Sequence, residues 1–140
     1  MIIERIGQGL RFIFGRYRKD NNKIVKNILS DEEFKIFDSM SEYEKIHSFR
    51  LYRMVSSDEL LKDKENYQKL ALLHDCGKES PSLFKRMKKV LIGDAVLDRH
   101  SHCSYEKLKT VNFEVAKLAK AHHLQPEDEL MKRFQELDEK

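Results

Sequence analysis

The sequence predicts an all-α fold of about six to eight helices, and three observations favour it. Apolar residues recur at intervals of three and four along most of the chain, as on one face of a helix. Serine, asparagine and aspartate signals that start helices separate these stretches. No stretch of any length has the period-two alternation of a half-buried strand. With 140 residues, 40% of them hydrophobic and 36% charged, the chain is expected to form one helical domain with heavily charged outer faces.

Charge and composition exclude several classes of protein. The net charge of +3 is mild, and the basic residues are dispersed among acidic ones, which argues against a specific nucleic-acid binder. No apolar run approaches the roughly 18 residues of a membrane span, and the N-terminus lacks the features of a signal peptide. The two cysteines, Cys76 and Cys103, form neither a CxxC pair nor a disulfide framework. A cytoplasmic location is therefore expected.

Residues 1–29 are expected to form an amphipathic helix and a loop that pack on a domain spanning residues 30–140. The apolar positions at helical spacing are Ile2, Ile3, Ile6, Leu10, Ile13 and Phe14. Arginine and lysine line the other faces, so a membrane-surface or partner-binding helix is the alternative interpretation. The same apolar stripe could also be buried in a homodimer. Asp20–Asn22 is expected to be a turn or loop.

Helix starts are predicted along the second part of the chain from their capping chemistry. Two capping boxes stand at Ser30–Glu33 and Ser41–Glu44, where a serine and a glutamate three residues later can satisfy each other's backbone N–H groups. Ser80–Pro81 predicts another start, and Asn112 is expected to cap a further helix. Gln125–Asp128 is expected to open the last helix, whose first turn would be acidic.

Histidines lie on the inner faces of these predicted helices. His47 shares a stripe with Tyr43, Leu51 and Met54, and His74 follows Leu70 by four residues. Taken alone, an inward histidine is either a hydrogen-bonded core residue or a metal ligand.

His74 is followed directly by Asp75. Adjacent helical residues point about 100° apart, so both can reach one ion only near a helix end. Gly77 could provide that end, since glycine commonly follows a helix.

Further histidines and aspartates fall on other helices, so that several separate helices offer such a group to the interior. The complete set is His47, His74, Asp75, His100, His122, His123 and Asp138. Burying so many ionisable groups is costly unless a cation binds them. Nitrogen and carboxylate donors without thiolate favour Mn, Fe, Ni, Mg or Zn over Cu(I) or an iron–sulfur cluster. A carboxylate between two metals could bridge them at about 3.5–4 Å, a spacing used in phosphoryl chemistry.

The order H…HD…H…H…D resembles that of the HD-domain superfamily of metal-dependent phosphohydrolases, in particular its small bacterial-type members. The resemblance runs from about His47 to Asp138. ALLHDCGK resembles the apolar-HD-x-GK signature, and HSHCSYEKL a segment in which a histidine precedes a small residue by four. That second alignment selects His100 over His102. AKLAKAHH and FQELDEK resemble the two helices that end in the last histidine and aspartate ligands.

The resemblance implies a compact HD-domain helical bundle with one or two divalent metal ions. His47, His74, Asp75 and Asp138 would hold the first metal, and Asp75 would bridge to a second held by His100 and His122. His123 would be a ligand or a substrate contact. Lys78 would contact a substrate phosphate or orient Asp75. Asp75 and Lys78 would be the catalytic residues.

The activity implied is hydrolysis of a phosphomonoester or phosphodiester by a metal-activated water. The substrate would be a nucleotide or another small phosphorylated metabolite. The alternative is a catalytically silent metal- or nucleotide-binding HD domain that acts as a regulatory or interaction module, with the N-terminal helix as one candidate contact.

The chain departs from the family pattern in places. Asp138 lies two residues from the C-terminus, where helices fray. Leu124 stands after His123 where some subfamilies have an acidic residue. The glycine-tyrosine-proline segment of the cyclic-dinucleotide-degrading subfamily is absent, which argues against that substrate. Cys76, beside the central motif, is expected to be a small buried packing residue.

Overall fold

The fold is all-α, as predicted. A computed structural model describes residues 17–76 and 103–139, and these contain no strand. A 3-10 turn at Lys19–Asn21 precedes the helices, and residues 103–108 are also helical. The other helices are α1 (Asn22–Ile28), α2 (Asp31–Asp38), α3 (Glu42–Ser57), α4 (Glu65–Leu73), α5 (Phe113–Ala121) and α6 (Glu129–Asp138).

The predicted caps form. Ser30 Oγ accepts the backbone N–H of Glu33 at 3.2 Å, and the Glu33 carboxylate accepts the backbone N–H of Ser30 at 2.7 Å. Ser41 and Glu44 make the same reciprocal pair at the start of α3. The Asn112 side chain caps α5. Local chemistry therefore decides where these three helices begin.

Two boundaries differ from the predictions. Asp20–Asn22 was expected to be a turn or loop, but α1 begins at Asn22 and places Val25 in the core. The Tyr17 hydroxyl donates a hydrogen bond to Asn22 Oδ1 at 2.8 Å, a contact that no local sequence pattern indicates. The last helix begins at Glu129 because Asp128 is its cap.

The inner stripe of α3 is rotated by about one residue from the predicted one. Its most buried residues along this stripe are Glu44, Ser48, Leu51 and Val55. Tyr43, His47 and Met54 are partly buried at the border of the stripe. The stripe therefore includes Glu44, which is 0% exposed and whose carboxylate closes the capping box.

Helix α4 is the centre of the described fold. Tyr67 and the four residues from Leu70 to Leu73 are buried, and α4 packs against α1, α2, α3 and α5. Helix α6 packs against α3. A helix that is apolar on most sides is buried by its neighbours. The His74–Asp75 pair, which directly follows α4, is consequently buried.

A buried carboxylate connects α2, α4 and the start of α5. Glu33 is 1% exposed, and its carboxylate lies 3.0 Å from Lys69 Nζ and 2.9 Å from Asn112 Nδ2. Burial alone would raise the pKa of Glu33, but hydrogen bonds from Ser30, Asn112 and Lys69 outweigh it and lower this pKa. Glu33 thus joins the two helices that end in His74 and His122.

The last helix is fixed by an ion pair at its middle. Arg133 Nε donates to Asp58 Oδ1 at 2.7 Å, and Asp58 also accepts the backbone N–H groups of Leu60 and Leu61. This contact ties α6 to the end of α3. None of the described helices is long and apolar enough to cross a membrane.

Some predictions fall outside the described residues. They are most of the N-terminal helix (residues 1–16) and the helix start at Ser80–Pro81. The division at residue 30 stays a prediction.

Candidate metal centre

Two helices end in a histidine in the same way. His74 is the C-cap of α4, and its Nδ1 lies 3.0 Å from the carbonyl oxygen of Ala71. His122 is the C-cap of α5, and its Nδ1 bonds to the carbonyl oxygen of Ala119. A carbonyl only accepts, so each Nδ1 carries the hydrogen and, in the neutral ring, Nε2 keeps the lone pair. This is the tautomer that a metal-binding histidine needs, with its other nitrogen fixed by the protein.

Carboxylate oxygens converge on these rings. His74 Nε2 lies 3.3 Å from Asp75 Oδ2 and 3.3 Å from Asp138 Oδ1. His47 Nε2 lies 3.1 Å from the same Asp138 oxygen and 3.8 Å from Asp75 Oδ2. The side chains of His74 and Asp75 are 1% and 5% exposed, and those of His47 and Asp138 are 12% and 16% exposed. The cluster is therefore almost removed from water but opens on the side of His47 and Asp138.

Two groups within the cluster have the geometry for an ion. Donor atoms of His47, His74 and Asp75 lie within 4.8 Å of one another, and so do donor atoms of His74, His122 and Asp138. His74 belongs to both groups. Each group offers two imidazole nitrogens and one carboxylate oxygen, a donor set that suits Mn, Fe, Ni or Zn.

An aromatic ring supports the two capping histidines. The Phe134 ring stands edge-on to His74, with 6.0 Å between ring centroids, and edge-on to His122 at 6.4 Å. Phe134 lies one helical turn before Asp138, so α6 contributes both the apolar support and a carboxylate. The sequence indicated only that Phe134 is apolar and inward.

The electrostatics favour the metal-binding form of two groups, Asp138 and His122. Burial would raise the pKa of the Asp138 carboxyl, but the His74 and His47 rings outweigh it and hold this pKa well below its usual range. Burial, helped by His123 and His74, lowers the pKa of His122 to about 3. At neutral pH, Asp138 is therefore ionised and His122 is neutral.

His122 leaves one atom to be explained. Its Nε2 is buried and has no hydrogen-bond partner within residues 17–76 and 103–139. Buried polar atoms are nearly always satisfied, so such an atom points to a ligand. A cation that accepts this lone pair fits the donor set.

Cys76 is not part of this set. It is 2% exposed and packs in the core, as predicted, and burial raises the pKa of its thiol to about 11. It is a neutral thiol at physiological pH and is poorly suited to bind metal or attack a substrate.

The structure brings together five of the predicted site residues: His47, His74, Asp75, His122 and Asp138. His123 is partly buried beside His122, with 3.8 Å between ring centroids. Lys78 and His100 lie outside the described residues. Asp138 is the last residue of α6 and faces the cluster despite its place near the chain end.

Sequence reasoning missed two residues that touch the turn after α4. Ser104 and Lys107 donate hydrogen bonds to its carbonyl oxygens. The local sequence around Ser104 and Lys107 does not indicate these hydrogen bonds, because they join segments about 30 residues apart in the chain.

The comparisons agree with this geometry. A family model, the HD domain, matches residues 45–139, a span that contains every described member of the cluster. No curated protein and no solved structure matches the chain.

Proposed function

The chain belongs to the HD-domain family, and on that basis we propose that it is a metal-dependent phosphohydrolase. Its substrate is a phosphomonoester or phosphodiester of a nucleotide or another small phosphorylated metabolite. One observation carries the proposal: His74 Nε2 lies 3.3 Å from carboxylate oxygens of both Asp75 and Asp138. A bound cation would relieve the repulsion between the buried Asp75 carboxylate and the partly buried Asp138 carboxylate.

The residues present fit a divalent metal. His47, His74, Asp75 and Asp138 would hold the first ion. Asp75 would also serve a second ion, for which His122 and His100 would be the other ligands. The orphaned Nε2 of His122 supports a ligand role for that ring. Among the described residues its donor atom lies within 4.8 Å of donor atoms of His74 and Asp138, so His122 also stands close to the ligands of the first ion.

Bound metal supplies two things here, a lowered pKa for a water molecule and positive charge beside the phosphoryl oxygens. The chain's own residues do the rest. Asp75 and Asp138 are acceptors that orient a water. His123, at the edge of the cluster, contacts the substrate. Lys78, three residues after Asp75, binds a phosphate oxygen and adds a fixed positive charge.

The two cysteines are free thiols, and on this ground we propose that the protein works in the cytoplasm. Because the net charge of +3 is mild, we propose a small-molecule substrate rather than a specific nucleic acid.

Turnover by metal-loaded protein tests the proposal. The wild type, Asp75→Asn and the control Asp63→Asn, which changes an exposed loop residue, are each loaded with Mn²⁺ or Fe²⁺. They are assayed on p-nitrophenyl phosphate, its bis-ester and a panel of nucleotides. We expect turnover by the wild type and the control, and a loss of at least about 100-fold in Asp75→Asn. Full turnover by Asp75→Asn would contradict the assignment. Metal-replete wild type that hydrolyses nothing would favour the silent binding domain.

A further inference from the structure

The turn that follows α4 is held by two side chains from the helical segment 103–108. Ser104 Oγ donates to the carbonyl oxygen of His74 at 3.1 Å. Lys107 Nζ donates to the carbonyl oxygen of Cys76 at 2.8 Å. These two donors, Ser104 and Lys107, are called the carbonyl clamp below. They act on the residues immediately before and after Asp75.

The clamp adds side-chain hydrogen bonds at the end of α4. The last carbonyls of a helix have no partner within the helix. Here Leu70 O accepts the backbone N–H of His74 at 2.7 Å, and Leu73 O accepts that of Cys76 at 3.0 Å. The carbonyls of His74 and Cys76 point beyond the helix end, and the side chains from 103–108 satisfy them. Removing a clamp donor would leave a carbonyl in or near the interior with a poorer partner.

The two donors differ in strength and kind. The Ser104 side chain is fully buried, so its hydrogen bond is shielded from water. The Lys107 side chain is exposed, and its ammonium makes a charge-assisted bond just beyond the C-terminus of α4. Lys109, the residue after this segment, is exposed as well but pairs with Glu106 at 2.6 Å. Only one of these two lysines contacts the turn.

We propose that Ser104 and Lys107 are positioning residues for the metal centre, an inference that builds on the proposed function. The Ser104 bond to the His74 carbonyl fixes the peptide plane before Asp75, and the Cys76 N–H, which donates to Leu73 O, fixes the plane after it. Lys107 fixes the next plane through the Cys76 carbonyl, so that the turn is held on both sides of Asp75. The direction of the Asp75 side chain and of the His74 ring is then set relative to His47 and Asp138. Groups that orient metal ligands in this way typically change metal affinity by about 10–100-fold when they are removed.

The test compares Lys107→Met, Lys107→Arg and the matched control Lys109→Met. The first readout uses metal-free protein. Amide hydrogen exchange of the peptide that contains His74–Cys76, located by mass spectrometry, reports whether the turn has loosened. We expect exchange to accelerate in Lys107→Met, to return toward the wild-type rate in Lys107→Arg, and to stay unchanged in Lys109→Met.

The second readout is the metal itself. Mn²⁺ affinity is measured by calorimetry, and the ligand geometry is followed by the visible absorption spectrum of the Co²⁺ form. We expect about 10-fold weaker Mn²⁺ binding and a changed Co²⁺ spectrum in Lys107→Met, with recovery in Lys107→Arg. A purely structural role would lower stability without changing that spectrum.

The outcomes separate the two proposals. Lys107→Met that matches Lys109→Met in both readouts overturns the clamp while leaving the phosphohydrolase proposal intact. Wild type that binds no Mn²⁺ or Co²⁺ defeats the proposed function, and hydrogen exchange in the metal-free proteins still decides whether the clamp holds the turn. If Lys107→Met does not fold, Ser104→Ala is measured in its place by the same criteria.

Discussion

His74 Nε2 lies 3.3 Å from Asp138 Oδ1, although His74 follows the central helix α4 and Asp138 ends the last helix. The same aspartate oxygen is 3.1 Å from His47 Nε2. The final turn of α6 therefore contributes a carboxylate to the candidate metal centre. Phe134, which supports the His74 ring, and Arg133, which bonds Asp58, hold that turn in place.

Replacing Asp138 by asparagine is expected to weaken metal binding by at least about 10-fold, because a negative donor is lost while the shape is kept. The matched control is Glu139→Gln, which removes a carboxylate from the next, exposed position. Calorimetric titration with Mn²⁺ measures both. Equal affinity in Asp138→Asn and wild type would show that the chain end does not contribute a ligand.

His122 is expected to make the metal-free protein less stable as the pH falls. Its pKa is about 3 in the folded state and near 6.5 in the unfolded state, so the unfolded chain binds a proton that the folded protein does not. The stabilisation is complete above about pH 6.5 and is lost progressively as the pH falls toward 3. Between pH 7 and pH 5 this group alone should cost about 2 kcal/mol of unfolding free energy.

Urea denaturation of metal-free wild type and His122→Gln at several pH values measures this contribution. The variant should lose less stability than the wild type over the same interval. Parallel pH dependence in the two proteins would mean that His122 titrates normally in the folded state.

Glu33→Gln is expected to lower the free energy of unfolding by about 1–3 kcal/mol, because the partly buried Lys69 and Asn112 donors lose a charged acceptor. Glu32→Gln, at the adjacent exposed position, is the control and should change stability little. Urea denaturation at pH 7 compares them. A variant at position 33 as stable as its neighbour would show that the network contributes nothing net.

The alignment of HSHCSYEKL distinguishes two histidines that composition alone does not. His100→Ala should lose metal equivalents and turnover, whereas His102→Ala should retain both. Elemental analysis of the purified variants, beside the phosphate-ester assay, gives the answer. The opposite result would identify His102 as the ligand and would show that the alignment of HSHCSYEKL is wrong by two residues.

Local chemistry made much of this fold and site predictable. Ser30, Ser41 and Asn112 mark helix starts through side chains only one to three residues from their targets, so the sequence contains the whole interaction. His74–Asp75 was placed at a helix end because neighbouring residues on a helix diverge, and α4 indeed ends at Leu73. The order of the histidines and aspartates carried the family resemblance, which the family match confirms.

What sequence reasoning missed depends on contacts between distant segments. The start of α1 is accompanied by the Tyr17–Asn22 hydrogen bond and by burial of Val25, neither of which a run of Asp and Asn suggests. The rotation of the α3 stripe follows from burial of a glutamate, a residue type normally expected outside. The carbonyl clamp joins residues about 30 positions apart, and its side-chain types are common on any helix surface.

Metal content is the measurement that tests the account most directly. Wild type and Asp75→Ala are purified without chelator and without a histidine tag, and analysed by inductively coupled plasma mass spectrometry. The account predicts one to two equivalents of a transition metal in the wild type and a loss of that metal in the variant. Wild type that holds no metal, even after reconstitution with Mn²⁺, Fe²⁺, Ni²⁺, Mg²⁺ or Zn²⁺, would contradict it.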